Sequence, residues 1–158
     1  MNIFYLDHRP AIAASYLHDK HIIKMCLETA QILCTVSNKL NVNAPYKSTH
    51  IGHPSVLWVG QSMKNWLWLL RHGLMIGNEY TKRFGKIHKS SLVTNWCAQH
   101  GGHPPDGDFV FPPQCMPTKY KQKNTISAYR AYYAAEKIKH AKWTAPSIEP
   151  YWLSQYWN

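Results

Sequence analysis

Acidic side chains are scarce in this sequence. Its 158 residues carry 8 Asp and Glu against 18 Lys and Arg, a formal charge of +10. That imbalance favours a polyanionic partner, nucleic acid or a phosphorylated ligand. Long apolar runs are missing too: no stretch of about 18 apolar residues occurs, so no membrane span is indicated. The opening MNIFYLDHRP lacks the charged-then-apolar order of a signal peptide, and a cytoplasmic protein is expected. Cysteine is limited to Cys26, Cys34, Cys97 and Cys115, with no C-x-x-C pair. This speaks against a zinc ribbon or a disulfide scaffold and for reduced packing thiols. Internal repeats, low-complexity segments and linkers are also absent. What is present, 45% hydrophobic and 13% aromatic residues, is ample for the core of one domain spanning 1–158.

The periodicity is helical. NIFYL at 2–6 reads as a short strand or an extended arm, and Pro10 then opens a long helix expected to run to about Ser37, since proline is well tolerated in a first turn. The segment 37–54 is rich in Asn, Ser, Pro and Gly and reads as a loop. A second long helix is expected from Pro54 to the terminator Gly85, bent or split at Gly73 or Gly77. A shorter one covers about Ser90 to His100, and the Gly- and Pro-rich 101–117 forms a second long loop. Asn124 or Thr125 caps a last helix, ISAYRAYYAAEKIKHAKW, before an aromatic tail that should dock on the body. The expected architecture is a single compact all-α bundle with two long loops and a docked carboxyl-terminal tail.

Two polar stripes carry the candidate chemistry. On the first helix Lys20, His21, Lys24, Glu28 and Gln31 fall within an arc of about 100°, edged by apolar residues. On the second, Gln61, Asn65, His72, Glu79 and Arg83 fall within about 40°, flanked by Trp58, Trp68 and Ile76. A helix needs only one wet side, so the extra stripe is read as lining a cleft. The bland alternatives are a charge-balanced surface strip, with Lys24 and Glu28 spaced to pair, and a buried structural network around Glu79. Of eight carboxylates, Glu28 and Glu79 have the setting of a general acid or base; Asp106 and Asp108 read as turn formers. Covalent attack on a sugar carbon requires an amine that can be neutral, and Lys20 and Lys24 beside His21 have cationic neighbours that depress an amine pKa, although Glu28 opposes that effect. The catalytic set is therefore Glu28, Glu79, His21, Lys24 and His72.

The histidine pairs His50/His53 and His100/His103 match no ligand frame, so neither metal nor cofactor is expected, and His53 reads as a helix cap. Lysines interleave with Tyr, His and hydroxyl groups in YKSTH, GKIHKS and TKYKQK. These segments and the face of the last helix supply phosphate-contact candidates: Lys20, Lys47, His50, Arg83, His88, Lys89, Arg130 and Lys137.

The segments DKHIIKM, YKSTHIGHP, EYTKRFGKIHK and AYRAYYAAEK resemble a group of small phage-encoded proteins, and the likeness covers nearly the whole chain. More distantly, the size, charge, helix order, H-P start of the middle helix and aromatic carboxyl end resemble the phage pyrimidine-dimer DNA glycosylase. That resemblance implies a compact basic all-α protein that flips a base and attacks the sugar with its amino-terminal amine, assisted by a glutamate on the first long helix. It also implies a location in the host cytoplasm. In that family the attacking amine is a threonine's after methionine removal. Here Asn2 is bulky enough that Met1 is expected to stay, and with the first helices laid together the family's glutamate falls near Ile23, more than a turn before Glu28. The function expected is a DNA- or nucleotide-acting enzyme of glycosylase or lyase type. The alternatives are a non-catalytic nucleic-acid or nucleotide binder that sequesters a host signal, and a module that inhibits a host enzyme.

Overall fold

The computed structural model describes residues 1–157, among which six α-helices and two short 3-10 helices occur and no strand. Helix α1 is Pro10–Tyr16, α2 Asp19–Lys39, α3 Pro54–Gln61, α4 Met63–Phe84, α5 Lys89–His100 and α6 Thr125–Glu136. Helix α4 is the hub, packed against α1, α2, α3 and α5. The all-α bundle, its two long loops and the docked tail stand as expected: Trp152 and Leu153 of the tail are fully buried.

Local signals set several ends. Proline opens α1 and α3, Gly85 terminates α4 at φ 66°, and the Asn124 side chain caps α6 by accepting the Ser127 amide N–H. Four expectations need correction. The first long helix breaks at Leu17 and His18, because the Arg83 guanidinium takes up the carbonyls of Ser15 and Leu17 that end α1, and the Asp19 N–H donates to the Lys142 carbonyl. The second breaks at Ser62, where the Met63 N–H donates to the Pro105 carbonyl of the second loop and the Ser62 hydroxyl caps α4. Gly73 and Gly77 do not split the helix, which runs unbroken from Met63 to Phe84; a Cβ at Gly73 would lie 2.7 Å from the Thr29 methyl, and one at Gly77 2.8 Å from Ser91 Cβ. Their missing side chains let α2 and α5 approach α4 closely. Finally, α6 stops at Glu136 instead of running to Trp143, and His140 turns the chain at φ 61°.

The amino-terminal segment is an extended arm threaded through the protein, with Ile3, Phe4, Tyr5 and Leu6 all buried. Phe4 sits in the left-handed region at φ 55°, which a bulky residue adopts only where its surroundings enforce it.

Candidate active site

The start of the chain is held by its second residue. Asn2 Oδ1 accepts the N–H groups of Ile3 (2.7 Å) and Phe4 (3.0 Å), and Nδ2 donates to the Cys115 carbonyl at 2.8 Å. That carbonyl belongs to a loop fixed in turn by α6, whose buried Tyr129 hydroxyl donates to the Pro113 carbonyl and accepts the Cys115 N–H. The Asn2 main-chain N–H donates to Glu28 Oε2 at 3.2 Å. Glu28 Oε1 is paired with Lys24 Nζ at 3.3 Å, the carboxylate being 13% and the lysine 58% exposed. The backbone at the head of the chain, a glutamate and an open-facing lysine are thus assembled on one turn of α2.

The first loop brings histidines to the same place. Thr35 ties it to α2, its hydroxyl donating to the Thr49 carbonyl and accepting the Thr49 N–H. His50 Nδ1 pairs with Thr49 Oγ1 at 2.7 Å. His53 Nδ1 accepts the Ser55 N–H at the start of α3, so the ring proton sits on Nε2. The His53 pKa is lowered first by burial and then by the positive amino terminus and His50, with Glu28 opposing. The head of the chain, Glu28, His50 and His53 therefore share one electrostatic neighbourhood.

Behind the arm, the Phe4 ring stacks on His21 at 4.6 Å and His21 on His18 at 4.1 Å. The Tyr133 hydroxyl pairs with His21 Nδ1 and accepts the His18 N–H. Burial pushes His21 down to about 3 and His18 to about 4. Both rings are neutral at pH 7, so His21 is a prop under Phe4 and not a proton donor to the site.

Other expected site residues lie elsewhere, and each has a physical reason. Arg83 is fully enclosed; it donates to the Leu17 and Ser15 carbonyls and to Ser147 Oγ, and it pairs with Glu79 and Asp19. No phosphate can reach it. Burial alone would raise the Glu79 carboxyl, but the Ser147 hydroxyl and the Arg83 and Lys82 charges outweigh burial and hold it below the usual range. Glu79 and Arg83 form a clamp that joins α4 to the α1–α2 elbow and to the tail. His72 is wholly buried against Trp68, with Nδ1 paired to the Pro10 carbonyl, and burial takes its pKa to about 4. Arg130 Nε donates to the Leu6 carbonyl and its guanidinium lies over Trp152 at 5.1 Å, so it pins the arm to the tail. His88 Nδ1 accepts the Ser90 N–H and caps α5.

Lys20, Lys47 and Lys89 are exposed, as is His50; Lys137 is half-buried with its ammonium over the Tyr132 ring at 4.9 Å. Ile23, where the helix alignment puts the family's glutamate, faces solvent at 46% exposure. The carboxylate that meets the head of the chain is Glu28. Sequence reasoning weighed Asn2 only for its bulk after Met1 and missed its bonding, whose one visible signal is an amide side chain opening an otherwise apolar run. Among the described residues no three His, Cys, Asp or Glu side chains gather as a metal site.

The described residues form an α-helical fold whose first residues are fastened against a helix-borne glutamate, on a chain of strongly positive charge. The family model described as pyrimidine dimer DNA glycosylase matches residues 1–92, and the chain belongs to that family. The matched span holds the arm, Lys24, Glu28, the first loop and α3. Comparison with curated proteins and with solved structures gives no match.

Proposed function

We propose that the protein is a DNA glycosylase and abasic-site lyase acting on pyrimidine lesions, with the amine at the head of the chain as nucleophile and Glu28 as its acid/base partner. The observation that carries this reading is the 3.2 Å bond from the Asn2 N–H to Glu28, inside the span that the family model matches. The neutral amine's lone pair attacks C1′ of the lesion nucleotide; the bond to the base breaks and the base leaves with the bonding pair. As the sugar ring opens, its O4′ takes a proton, the nitrogen loses one, and the C1′–N bond becomes an iminium. Removal of a C2′ proton then expels the 3′ phosphate and nicks the strand. Glu28, bonded to the N–H of Asn2 next to the attacking amine, carries these protons in turn.

Lys24 orients the Glu28 carboxylate. Lys20, Lys47, Lys89, Lys137 and His50 remain as groups that can meet phosphates, since each reaches the surface.

The test is incubation with ultraviolet-irradiated and untreated supercoiled plasmid in EDTA, with borohydride to reduce any iminium to a stable amine. Lesion-dependent nicking with an adduct that maps to the first peptide is expected. Glu28→Gln should abolish trapping while leaving DNA affinity within a few fold. Retained binding with neither nicking nor adduct would replace this reading by that of a non-catalytic nucleic-acid binder.

A further inference from the structure

The amine at a chain end is ordinarily the most mobile nucleophile a protein can offer, because no preceding residue restrains it. Attack on C1′ needs the reacting atoms held in a near-attack geometry, and a misplacement of about 1 Å can cost about 100-fold in rate. Something here must supply that restraint, and Glu28 alone does not: one long contact at 3.2 Å to a main-chain N–H fixes a distance but not a direction.

From the three side-chain bonds already described, we infer that Asn2 is a positioning residue, whose side chain aims the amino-terminal amine at the lesion sugar beside Glu28. The inference rests on the glycosylase reading above. Its two halves do different work. The acceptor Oδ1 closes a tight turn over the Ile3 and Phe4 amides, the local bonding for which asparagine is suited, and this turn leads into the left-handed Phe4. The donor Nδ2 fastens the turn to the Cys115 carbonyl, on a loop that Tyr129 of α6 holds in place. Asn2 is 8% exposed, so water competes poorly for either bond. The residue next to the amine is thus held by the second loop and α6, well outside the span 1–92 that the family model matches.

The experiment compares wild type with Asn2→Leu, a near-isostere without any of the bonds, and Asn2→Asp, which keeps the turn acceptors and loses the donor to Cys115. All of these second residues are bulky, and intact mass verifies that each chain begins at the same residue. At saturating lesion DNA, Asn2→Leu should trap about 100-fold more slowly, with the DNA Kd within about threefold of wild type and the thermal midpoint little changed. Asn2→Asp should fall between. A wild-type trapping rate in Asn2→Leu overturns the role of Asn2 alone, as does a loss of rate that tracks a loss of stability and affinity. If Asn2→Leu does not fold, Asn2→Asp decides: slowed trapping at unchanged affinity supports the assignment, and an unchanged rate overturns it. A wild-type protein that traps nothing on irradiated plasmid overturns the glycosylase reading and this role together.

Discussion

Replacing Arg83 by methionine removes the group that holds the α1–α2 elbow, α4 and the tail together, and it should destabilise the fold without touching its chemistry. The guanidinium is fully enclosed, while its partners Glu79 and Asp19 are 12% and 14% exposed. Deleting one member of a buried ion pair typically costs about 3–5 kcal/mol, and each carbonyl left without a donor adds about 1–3 kcal/mol when it stays dry. Two effects hold the sum down. Glu79 keeps the Ser147 hydroxyl and Lys82, and Asp19 keeps the N–H and hydroxyl of Thr144. Methionine also fills most of the space with apolar atoms. A loss of about 4 kcal/mol is expected, which at about 2–4 °C per kcal/mol for a chain of this size lowers the melting temperature by about 8–16 °C. Urea unfolding followed by tryptophan fluorescence measures the loss, and borohydride trapping well below the new midpoint measures chemistry per folded molecule. Trapping and DNA affinity at wild-type level in the folded fraction are expected. A variant that keeps full stability while DNA affinity collapses would refute the clamp and restore Arg83 as a phosphate contact.

Two further outcomes follow from packing and protonation. Gly73→Ala drives a Cβ to 2.7 Å from the fully buried Thr29 methyl and should cost about 1–3 kcal/mol; Thr29→Ala in the same chain removes that methyl and should recover most of the loss, and a double variant no better than the single one contradicts the close-approach argument. Stability should also fall on acidification from about pH 6.5 towards 4. His18, His21 and His72 are held below their ordinary 6.5, at about 4, 3 and 4, so in that window the unfolded chain binds protons that the fold refuses. Stability is complete above the unfolded value and drains as pH falls, with a limiting slope of about 4 kcal/mol per pH unit for three protons. Below this, Asp19 and Glu79, whose pKa values the fold lowers, lose their stabilisation as pH drops through those lowered values. Urea midpoints at pH 7, 6 and 5 check the histidine effect; equal midpoints would mean these rings are protonated in the fold.

The ends of helices were legible where the signal is local. Proline at Pro10 and Pro54, the left-handed Gly85 and the Asn124 cap each act within a turn of the residue concerned. The breaks at Leu17–His18 and at Ser62 were not, because each depends on a group brought from afar: Arg83 from α4, and the Pro105 carbonyl from the second loop. The two polar stripes make the same point about function. On a helical wheel both have the look of a site, since the wheel gives the face of a residue and not what the fold sets opposite it. Opposite Glu28 came the start of the chain, a main-chain N–H with no side-chain signature. Opposite Glu79 came Arg83, one turn along its own helix, and Ser147 from the tail. A carboxylate answered on every side by its own chain has nothing left to offer a substrate. One that meets only a backbone N–H and an open-facing lysine still has work to do, and that difference, invisible in spacing, separates the structural glutamate from the one we assign to chemistry.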